Sequence, residues 1–212
     1  MPTVVQSCTR SVRRSSYKSY TVSMRQLILA STSPSRQELL KKRGLDFSVV
    51  GSGFEEWLDD SLSAMEMTKV LGLGKVRSVA REHPEAIVVG GDTIVTVVGK
   101  QLGKAESYEE ALEMWRLCCS APNVLTSSLA VVCEALDFEY VVADEATITF
   151  LPFDEEKIRA YLDTGDYVGK AGAWSIQEAR YLMASVEGDP DTIVGLPYRL
   201  LAPVLEELRS RE

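Results

Sequence analysis

The sequence contains little histidine and little cysteine, and each shortage excludes a class of site. His83 is the single histidine among 212 residues, so a site built from several histidines is excluded and a Ser-His-Asp triad would have to use that residue. The four cysteines form no Cys-x-x-Cys pair, which leaves no zinc spacing and is typical of reduced thiols. We therefore expect a cytoplasmic protein.

Long apolar runs are also missing, and positive charge is scarce outside the N-terminus. Apolar segments such as 27–30 fall far short of the roughly 20 residues that a membrane span requires, so we expect no membrane partner. Residues 1–25 carry five basic side chains and no acidic one, which is a charge of +5. Because the whole chain has a net charge of −8, the other 187 residues carry −13. Such an acidic body predicts no nucleic-acid partner, because nucleic-acid binding needs many basic contacts to phosphate. It favours a divalent cation as mediator between carboxylates and phosphate.

The first 24 residues differ from the rest of the chain. They are rich in Ser, Thr, Arg and Tyr and show no apolar period, so we treat 1–24 as an extension that precedes a domain over 25–212. Met24 directly precedes the first apolar segment, which favours a disordered extension or a start-site artefact. The alternative is an organelle-targeting peptide, because the segment is basic, Ser-rich and acid-free.

From residue 26 onward, short apolar strands alternate with capped helices, which predicts an α/β fold. Two long strand candidates follow one another at 124–133 and 138–150, which predicts a mixed sheet. The other predicted strands are 26–30, 47–50, 86–90, 94–98, 101–102, 174–176 and 181–186. The predicted helices are 34–43, 64–81, 108–119, 155–162 and 200–209, with capping boxes at Ser63 and Ser107.

One predicted helix start is rich in hydroxyls. Ser31 and Ser33 precede it and Arg36 lies in its first turn. Free amides and the helix dipole attract anions at such an end, and a guanidinium can bind phosphate with two hydrogen bonds. The alternative is an ordinary capped helix with a solvated arginine.

Acidic and basic side chains also occur next to glycine. Asp92 ends a buried strand after two glycines, where a metal ligand or base is common, although a turn aspartate is the simpler interpretation. Glu55 and Glu56 follow a Gly-Ser-Gly loop and either join a carboxylate cluster around Mg²⁺ or are solvated. Three lysines directly follow a glycine, as in a phosphate-binding loop; they are Lys75, Lys104 and Lys170. They do not form a P-loop: the segment around Lys104, 99–105, is one residue short and lacks the Ser or Thr of that motif.

Five motifs taken together resemble the Maf family of septum-formation-inhibitor-like nucleoside triphosphate pyrophosphatases. The resemblance covers the chain from about residue 26 to its end. The motifs are Leu27-Ile-Leu-Ala-Ser-Thr-Ser-Pro-Ser-Arg36, Gly91-Asp92-Thr93, Leu102-Gly103-Lys104, Lys170-Ala-Gly-Ala-Trp-Ser-Ile-Gln177, and Glu187-Gly-Asp with Val194-Gly-Leu-Pro197.

This resemblance implies a two-lobed α/β fold, related to the inosine triphosphatase group, in which a long mixed sheet is flanked by helices and the active site lies in a cleft. It implies a homodimer that hydrolyses a nucleoside triphosphate to monophosphate and pyrophosphate with a divalent cation, Mg²⁺ or Mn²⁺. Asp92 matches the proton acceptor, and Asp92 and Glu55 match the catalytic, metal-holding acids. The residues that match substrate-binding positions are Ser31, Ser33 and Arg36 for the anion, Lys75, Lys104 and Lys170 for the phosphates, and Thr93 and Gln177 for the base.

The pairs Asp92-Thr93 and Ile176-Gln177 resemble the branch of the family that acts on dTTP and UTP, rather than the 7-methyl-GTP branch. Ser35 departs from both branches, which have arginine or tryptophan there, and segment 118–123 departs from a Leu-Ser-Gly…His pattern. Two other functions remain open: a nucleotide-binding regulator of cell division that has lost turnover, and a phosphohydrolase that releases orthophosphate.

Overall fold

The structure is a computed structural model that describes residues 25–55, 57, 59 and 61–211. The predicted extension 1–24 and the acidic candidate Glu56 lie outside the described residues. The strands are β1 (Leu27–Leu29), β2 (Ser48–Val49), β3 (Ile87–Gly90), β4 (Thr93–Val97), β5 (Lys100–Leu102), β6 (Asn123–Cys133), β7 (Phe138–Phe150) and β8 (Met183–Glu187). The helices are α1 (Pro34–Lys42), α2 (Ala64–Ala80), α3 (Tyr108–Cys118), α4 (Glu155–Leu162), α5 (Pro190–Val194) and α6 (Tyr198–Ser210).

The eight strands described form one mixed sheet that divides along one edge of β6. β7 pairs antiparallel with the whole length of β6 and carries β8 on its other edge. The second edge of β6 is shared, because β3 pairs with Ala130–Val132 and β4 pairs with 123–127. β1 and β2 continue the sheet parallel to β3, whereas β5 continues it antiparallel to β4. The sheet is therefore forked, and the fork opens at the two residues between β3 and β4.

The break between β3 and β4 consists of Gly91 and Asp92. A Cβ atom on Gly91 would lie 2.0 Å from the carbonyl oxygen of Ser128 on β6, so the chain can pass this point only with glycine. Leu29 of β1 pairs with Val89 of β3, and the parallel strands therefore end side by side. The residues that follow β1 lie next to the break, which is where an open α/β sheet places a ligand.

Helices cover both faces of the β1–β3 half of the sheet. Leu29 points to the face covered by α1 and α6, whose Leu40 and Leu201 are fully buried there. Ile28 points to the opposite face and packs with Val76 of α2. This alternation is the period-2 pattern expected of a strand that is buried on both sides.

The other half of the sheet rests on an aromatic core. Trp115 of α3 lies edge-on to Phe150 of β7 and to Tyr161 of α4, with ring centroids 4.8 and 5.3 Å apart. Trp174 contacts Phe150 at 5.3 Å between centroids. Such edge-to-face pairs contribute about 0.5–1.5 kcal/mol each beyond the area they bury.

The predicted fold class, a mixed α/β fold with a long sheet flanked by helices, is confirmed, and the structure corrects a few local predictions. The strand predicted at 174–176 is absent from the described residues, because Gly172 and Ala173 turn the chain with φ angles of 69° and 60° and Trp174 then enters the core. α5 was not predicted, since five residues are too few for a periodic pattern. The capping box forms fully at Ser63, whereas Ser107 caps α3 without the reciprocal bond from Glu110, which binds the amide of Glu106. None of the helices among the described residues is long and apolar enough for a transmembrane segment.

Candidate active site

A cavity of about 400 Å³ opens at the fork of the sheet. One side, which we call the strand wall, consists of residues 31–36, Lys75, Asp92 and Thr93. The facing side, which we call the loop wall, consists of residues 168–171 and 174–177. Lys104 lines the cavity after β5, and the apolar residues Val95, Leu125, Ile193 and Val194 complete the lining.

Asp92 and Lys75 form a buried ion pair on the strand wall. The Lys75 Nζ atom lies 2.5 Å from Asp92 Oδ1, and the two side chains are only 11% and 12% exposed. Lys75 belongs to α2, and the helix places it against the break in the sheet. A buried charge is tolerated only when it is paired, so each of these two groups requires the other.

Arg36 spans the same break from the other side. Its NH1 group donates to the Gly91 carbonyl at 2.7 Å and to Ser31 Oγ at 3.4 Å, and its NH2 group donates to Thr93 Oγ1 at 3.2 Å. The residue is 9% exposed. Since α1 begins at Pro34, the first-turn amides and the positive end of the helix dipole lie next to the same cavity. This wall therefore offers several hydrogen-bond donors to an anion.

The loop wall is held by the aromatic core and by β5. Lys104 and Ala171 form an isolated antiparallel bridge, and the amide of Gly172 donates to the Gly103 carbonyl at 2.9 Å. These bonds bring the segments of Lys104 and Lys170 together. The indole of Trp115 donates to the carbonyl of Ala173 at 3.0 Å, which ties the turn to α3.

Two further contacts orient the end of the loop wall. The amide of Ser175 donates to the Tyr161 hydroxyl at 3.1 Å, and burial raises the pKa of Tyr161 above its usual value. The Ser175 hydroxyl donates to Gln177 Oε1 at 3.0 Å, so the oxygen of this carboxamide is already engaged. Gln177 itself is exposed at the edge of the cavity.

A family model described as Maf-like protein matches residues 26–208. This chain belongs to the Maf family.

Curated relatives of this Maf protein match it along nearly their whole length. A dTTP/UTP pyrophosphatase of Symbiobacterium thermophilum is 40% identical over 186 residues, which are 87% of this chain and 94% of the relative. A dTTP/UTP pyrophosphatase of Pelotomaculum thermopropionicum is 36% identical over 185 residues, which are 87% and 97% of the two chains. A crystal structure of nucleoside-triphosphatase / dITP/XTP pyrophosphatase from Mycobacterium abscessus covers 59% of this chain and 74% of its own. The two chains superpose with a TM-score of 0.37 and are 16% identical.

Most of the residues that the sequence predicts as catalytic or substrate-binding line the cavity of the Maf protein. Among the candidates that the structure describes, Glu55 is the exception, since it is exposed and does not line the cavity, and its proposed role stays a prediction. The nine candidates that line the cavity are Ser31, Ser33, Arg36, Lys75, Asp92, Thr93, Lys104, Lys170 and Gln177.

Sequence reasoning missed the residues directly behind the strand wall. Ser127 and Ser128 are fully buried in β6 and hydrogen-bond to Thr93 and Asp92. Gly72 of α2 lets the helix approach this point, because a Cβ there would lie 2.3 Å from Ser128 Oγ. The local signal was a run of three consecutive polar residues, 126–128, in the middle of a mostly apolar strand.

The lining is strongly cationic for so acidic a chain. Four basic side chains face the cavity, whereas Asp92 is the single carboxylate among the described lining residues. Over the part of the chain that the structure describes, no group of three or more His, Cys, Asp or Glu side chains could hold a metal. One carboxylate with nearby hydroxyls fits a divalent cation that arrives with phosphate ligands, because Mg²⁺ is usually bound by one or two carboxylates together with substrate phosphates.

Proposed function

We propose that this Maf protein hydrolyses nucleoside triphosphates to the monophosphate and pyrophosphate. The observation that supports this most is the buried Asp92–Lys75 pair in a cavity whose other charged lining groups are Arg36, Lys104 and Lys170. In such a cavity the single carboxylate can activate a water molecule, and the cations can hold the negatively charged triphosphate. The names of the relatives, dTTP/UTP pyrophosphatases at 36–40% identity, agree with this reaction.

The cations hold the triphosphate. Arg36 and the amides of α1 bind one part of the chain of phosphates, and Lys104 and Lys170 bind another from across the cavity. Positioning and neutralising charge are the main contributions that a protein makes to phosphoryl transfer. Because these groups hold the β and γ phosphates, pyrophosphate is the group that leaves.

Asp92 orients the attacking water. Water adds to the α-phosphorus, the bond from this phosphorus to the bridging oxygen breaks, and the proton of the water passes to Asp92. Lys75 holds Asp92 Oδ1, so the carboxylate keeps one orientation during the reaction. A bound divalent cation would supply further charge neutralisation on the phosphates, with Asp92 and, as the sequence predicts, Glu55 as its protein ligands.

The finer assignments rest on the family. We propose dTTP, UTP and modified pyrimidine nucleotides as substrates, with Thr93 and Gln177 at the base, because both residues line the cavity and the relatives carry those names. Mg²⁺ as the metal, with Mn²⁺ as a substitute, a homodimeric state and a cytoplasmic location complete the proposal.

A panel of triphosphates with Mg²⁺ tests the reaction, with the phosphorus-containing products identified by ³¹P NMR. We expect monophosphate and pyrophosphate, and highest kcat/KM with dTTP or UTP. Asp92→Asn is expected to lower kcat by about 10²–10⁴-fold, the usual contribution of a general base. Asp46→Asn, at an exposed residue that does not line the cavity, is the matched control and should retain activity.

Three results would contradict the proposal. Orthophosphate as the first product would indicate a different phosphohydrolase. Nucleotide binding without turnover would favour the regulator of cell division. An Asp92→Asn variant with full activity would remove the assigned base.

A further inference from the structure

Two adjacent serines of β6 lie directly behind the strand wall. Ser127 and Ser128 are both fully buried, and the apolar residues Leu129 and Ala130 follow them. Successive side chains of a strand point to opposite faces of the sheet. The two serines therefore point to opposite faces of the sheet, and each contacts a different part of the site.

Ser128 holds both backbone groups of Asp92. The amide of Asp92 donates to Ser128 Oγ at 2.9 Å, and the amide of Ser128 donates to the Asp92 carbonyl at 2.9 Å. The Ser128 hydroxyl donates to the Thr68 carbonyl at 2.7 Å. Because a carbonyl can only accept, the single hydroxyl hydrogen is committed to Thr68, and a lone pair of the oxygen faces Asp92.

The two hydrogen bonds of the Ser127 hydroxyl also have a fixed direction. Its hydroxyl donates to the Thr192 carbonyl at 2.7 Å, so it can only accept from Thr93 Oγ1, which lies 2.9 Å away. Thr93 therefore donates to Ser127 and accepts from Arg36 NH2. The guanidinium is thus oriented by a chain of hydrogen bonds in which the hydroxyl hydrogens of Thr93 and Ser127 each have one acceptor.

The far end of this chain is also anchored. The Thr192 hydroxyl donates to Asp144 Oδ2 at 2.5 Å, and Asp144 forms an ion pair with Arg199 at 2.6 Å. Thr192 is fully buried in α5. Arg36 is therefore positioned against a helix that is itself attached to β7 and α6, and not only against its own helix.

We propose that Ser127 and Ser128 are positioning residues of the active site, Ser128 for the general base Asp92 and Ser127 for the phosphate-binding Arg36. This inference rests on the proposed function. It assigns the two serines separable effects, because a misplaced base slows the chemical step whereas a misplaced guanidinium weakens the hold on substrate.

Steady-state kinetics of Ser128→Ala and Ser127→Ala test the separation. Ser128→Ala is expected to lower kcat by about tenfold or more with KM within about threefold, since small displacements of a reacting group are costly. Ser127→Ala is expected to raise KM by about fivefold with kcat within about threefold. Combining Ser127→Ala with Thr93→Val should cost little more than Thr93→Val alone, because both act on Arg36.

Thr126→Val is the matched control. Thr126 is equally buried on the same strand, but its hydroxyl contacts Glu145 and does not line the cavity. It should lower the melting temperature without a selective change in kcat or KM when assayed well below that temperature. Should Ser128→Ala fail to fold, Ser128→Cys keeps the shape of the side chain with a weaker acceptor, and the same loss of kcat is expected.

Equal changes of kcat and KM in the two serine variants, or changes no larger than those of Thr126→Val, would overturn the inference. Failure of the proposed function is recognised separately, because the wild-type protein would then release no pyrophosphate from any triphosphate. In that case, binding of a non-hydrolysable triphosphate to Ser127→Ala decides the Ser127 assignment: about fivefold weaker binding supports it, and unchanged binding overturns it.

Discussion

The strand wall and the loop wall face the same cavity but are built differently. On the strand wall, Arg36, Lys75 and Asp92 are buried and form hydrogen bonds at the break in the sheet. On the loop wall, Val168 is 66% exposed and Gln177 is exposed, and the segment consists of turns. The difference indicates that groups needing one geometry lie on the sheet, whereas groups that meet variable parts of a substrate lie on turns.

The two walls also differ in what supports them. The strand wall is continuous with β1, β3 and β6, whose hydrogen bonds position it directly. The loop wall depends on a few bonds to the aromatic core, such as the bond from Trp115 to the carbonyl of Ala173. We therefore expect substitutions on the strand wall to affect both stability and turnover, and substitutions on the loop wall to affect substrate binding alone.

Removing Lys75 should give the largest effect. Lys75→Ala leaves the carboxylate of Asp92 buried without its ion-pair partner, which should lower the free energy of unfolding by about 3–5 kcal/mol and abolish turnover. Urea unfolding and pyrophosphate release measure both effects. Lys41→Ala, on the exposed side of α1, is the control and should change neither. A stable, active Lys75→Ala variant would contradict the distinction between the walls.

Removing the loop-wall lysine should change affinity without changing stability. Lys170→Ala is expected to raise KM about tenfold, because one charged contact to phosphate is lost, while the urea midpoint stays within error of wild type. Initial rates at several substrate concentrations measure this, with exposed Lys100→Ala as the control. A large fall in stability would show that the loop wall is as integral to the fold as the strand wall.

Gln177, at the edge of the loop wall, should affect which nucleotide base the protein prefers. Gln177→Ala is expected to reduce the preference for UTP over CTP by about fivefold, since one hydrogen bond to the base contributes about 1 kcal/mol. The ratio of the two kcat/KM values is the measurement. Glu178→Ala, at the exposed neighbour, should leave this ratio unchanged. An unaltered ratio in Gln177→Ala would remove this residue from base recognition.

The core beneath the loop wall should make the protein sensitive to alkaline pH. Burial raises the pKa of the Cys118 thiol to about 12, above its usual value near 9. Because the unfolded chain loses this proton first, stability is highest below pH 9 and declines as the pH rises toward 12.

Between pH 8 and 10, this one thiol should account for about 1 kcal/mol of lost stability. Urea unfolding at both pH values should therefore show a smaller loss in Cys118→Ala than in wild type. Cys133→Ala, at a buried cysteine in a separate hydrophobic cluster, serves as the comparison. If wild type and Cys118→Ala lose the same stability between pH 8 and pH 10, the pH dependence does not come from the raised pKa of Cys118.

Most of the elements could be predicted from local sequence, because their signals are local. The Ser63 capping box begins α2, and the long alternating run of β7 was assigned with the bounds that the structure has. The turn at 172–173 could not be predicted in this way. Trp174 leaves the expected strand because a buried aromatic position at Phe150, distant in sequence, accepts it.

The candidate site was predicted as a set of residues and not as a geometry. Motif resemblance selected Arg36, Asp92 and Lys75, and the structure brings them together at one break in the sheet. Motif resemblance did not select Ser127 or Ser128, and the polar run 126–128 in a mostly apolar strand does not by itself say what its hydroxyls contact. Their importance depends on the pairing of β6 with both β3 and β4, which is a long-range property.

The sequence by itself determined the family, the alternation of strands and helices, and the scarcity of histidine that excludes several kinds of chemistry. These depend on residue identity and on short-range periodicity, which a chain carries before it folds. Only the tertiary structure decided which charges are paired, which hydroxyl donates to which oxygen, and which wall of the cavity has its charged groups buried. Those properties arise because residues far apart in sequence, such as Arg36 and Thr93 or Ser127 and Thr192, become neighbours where the sheet divides.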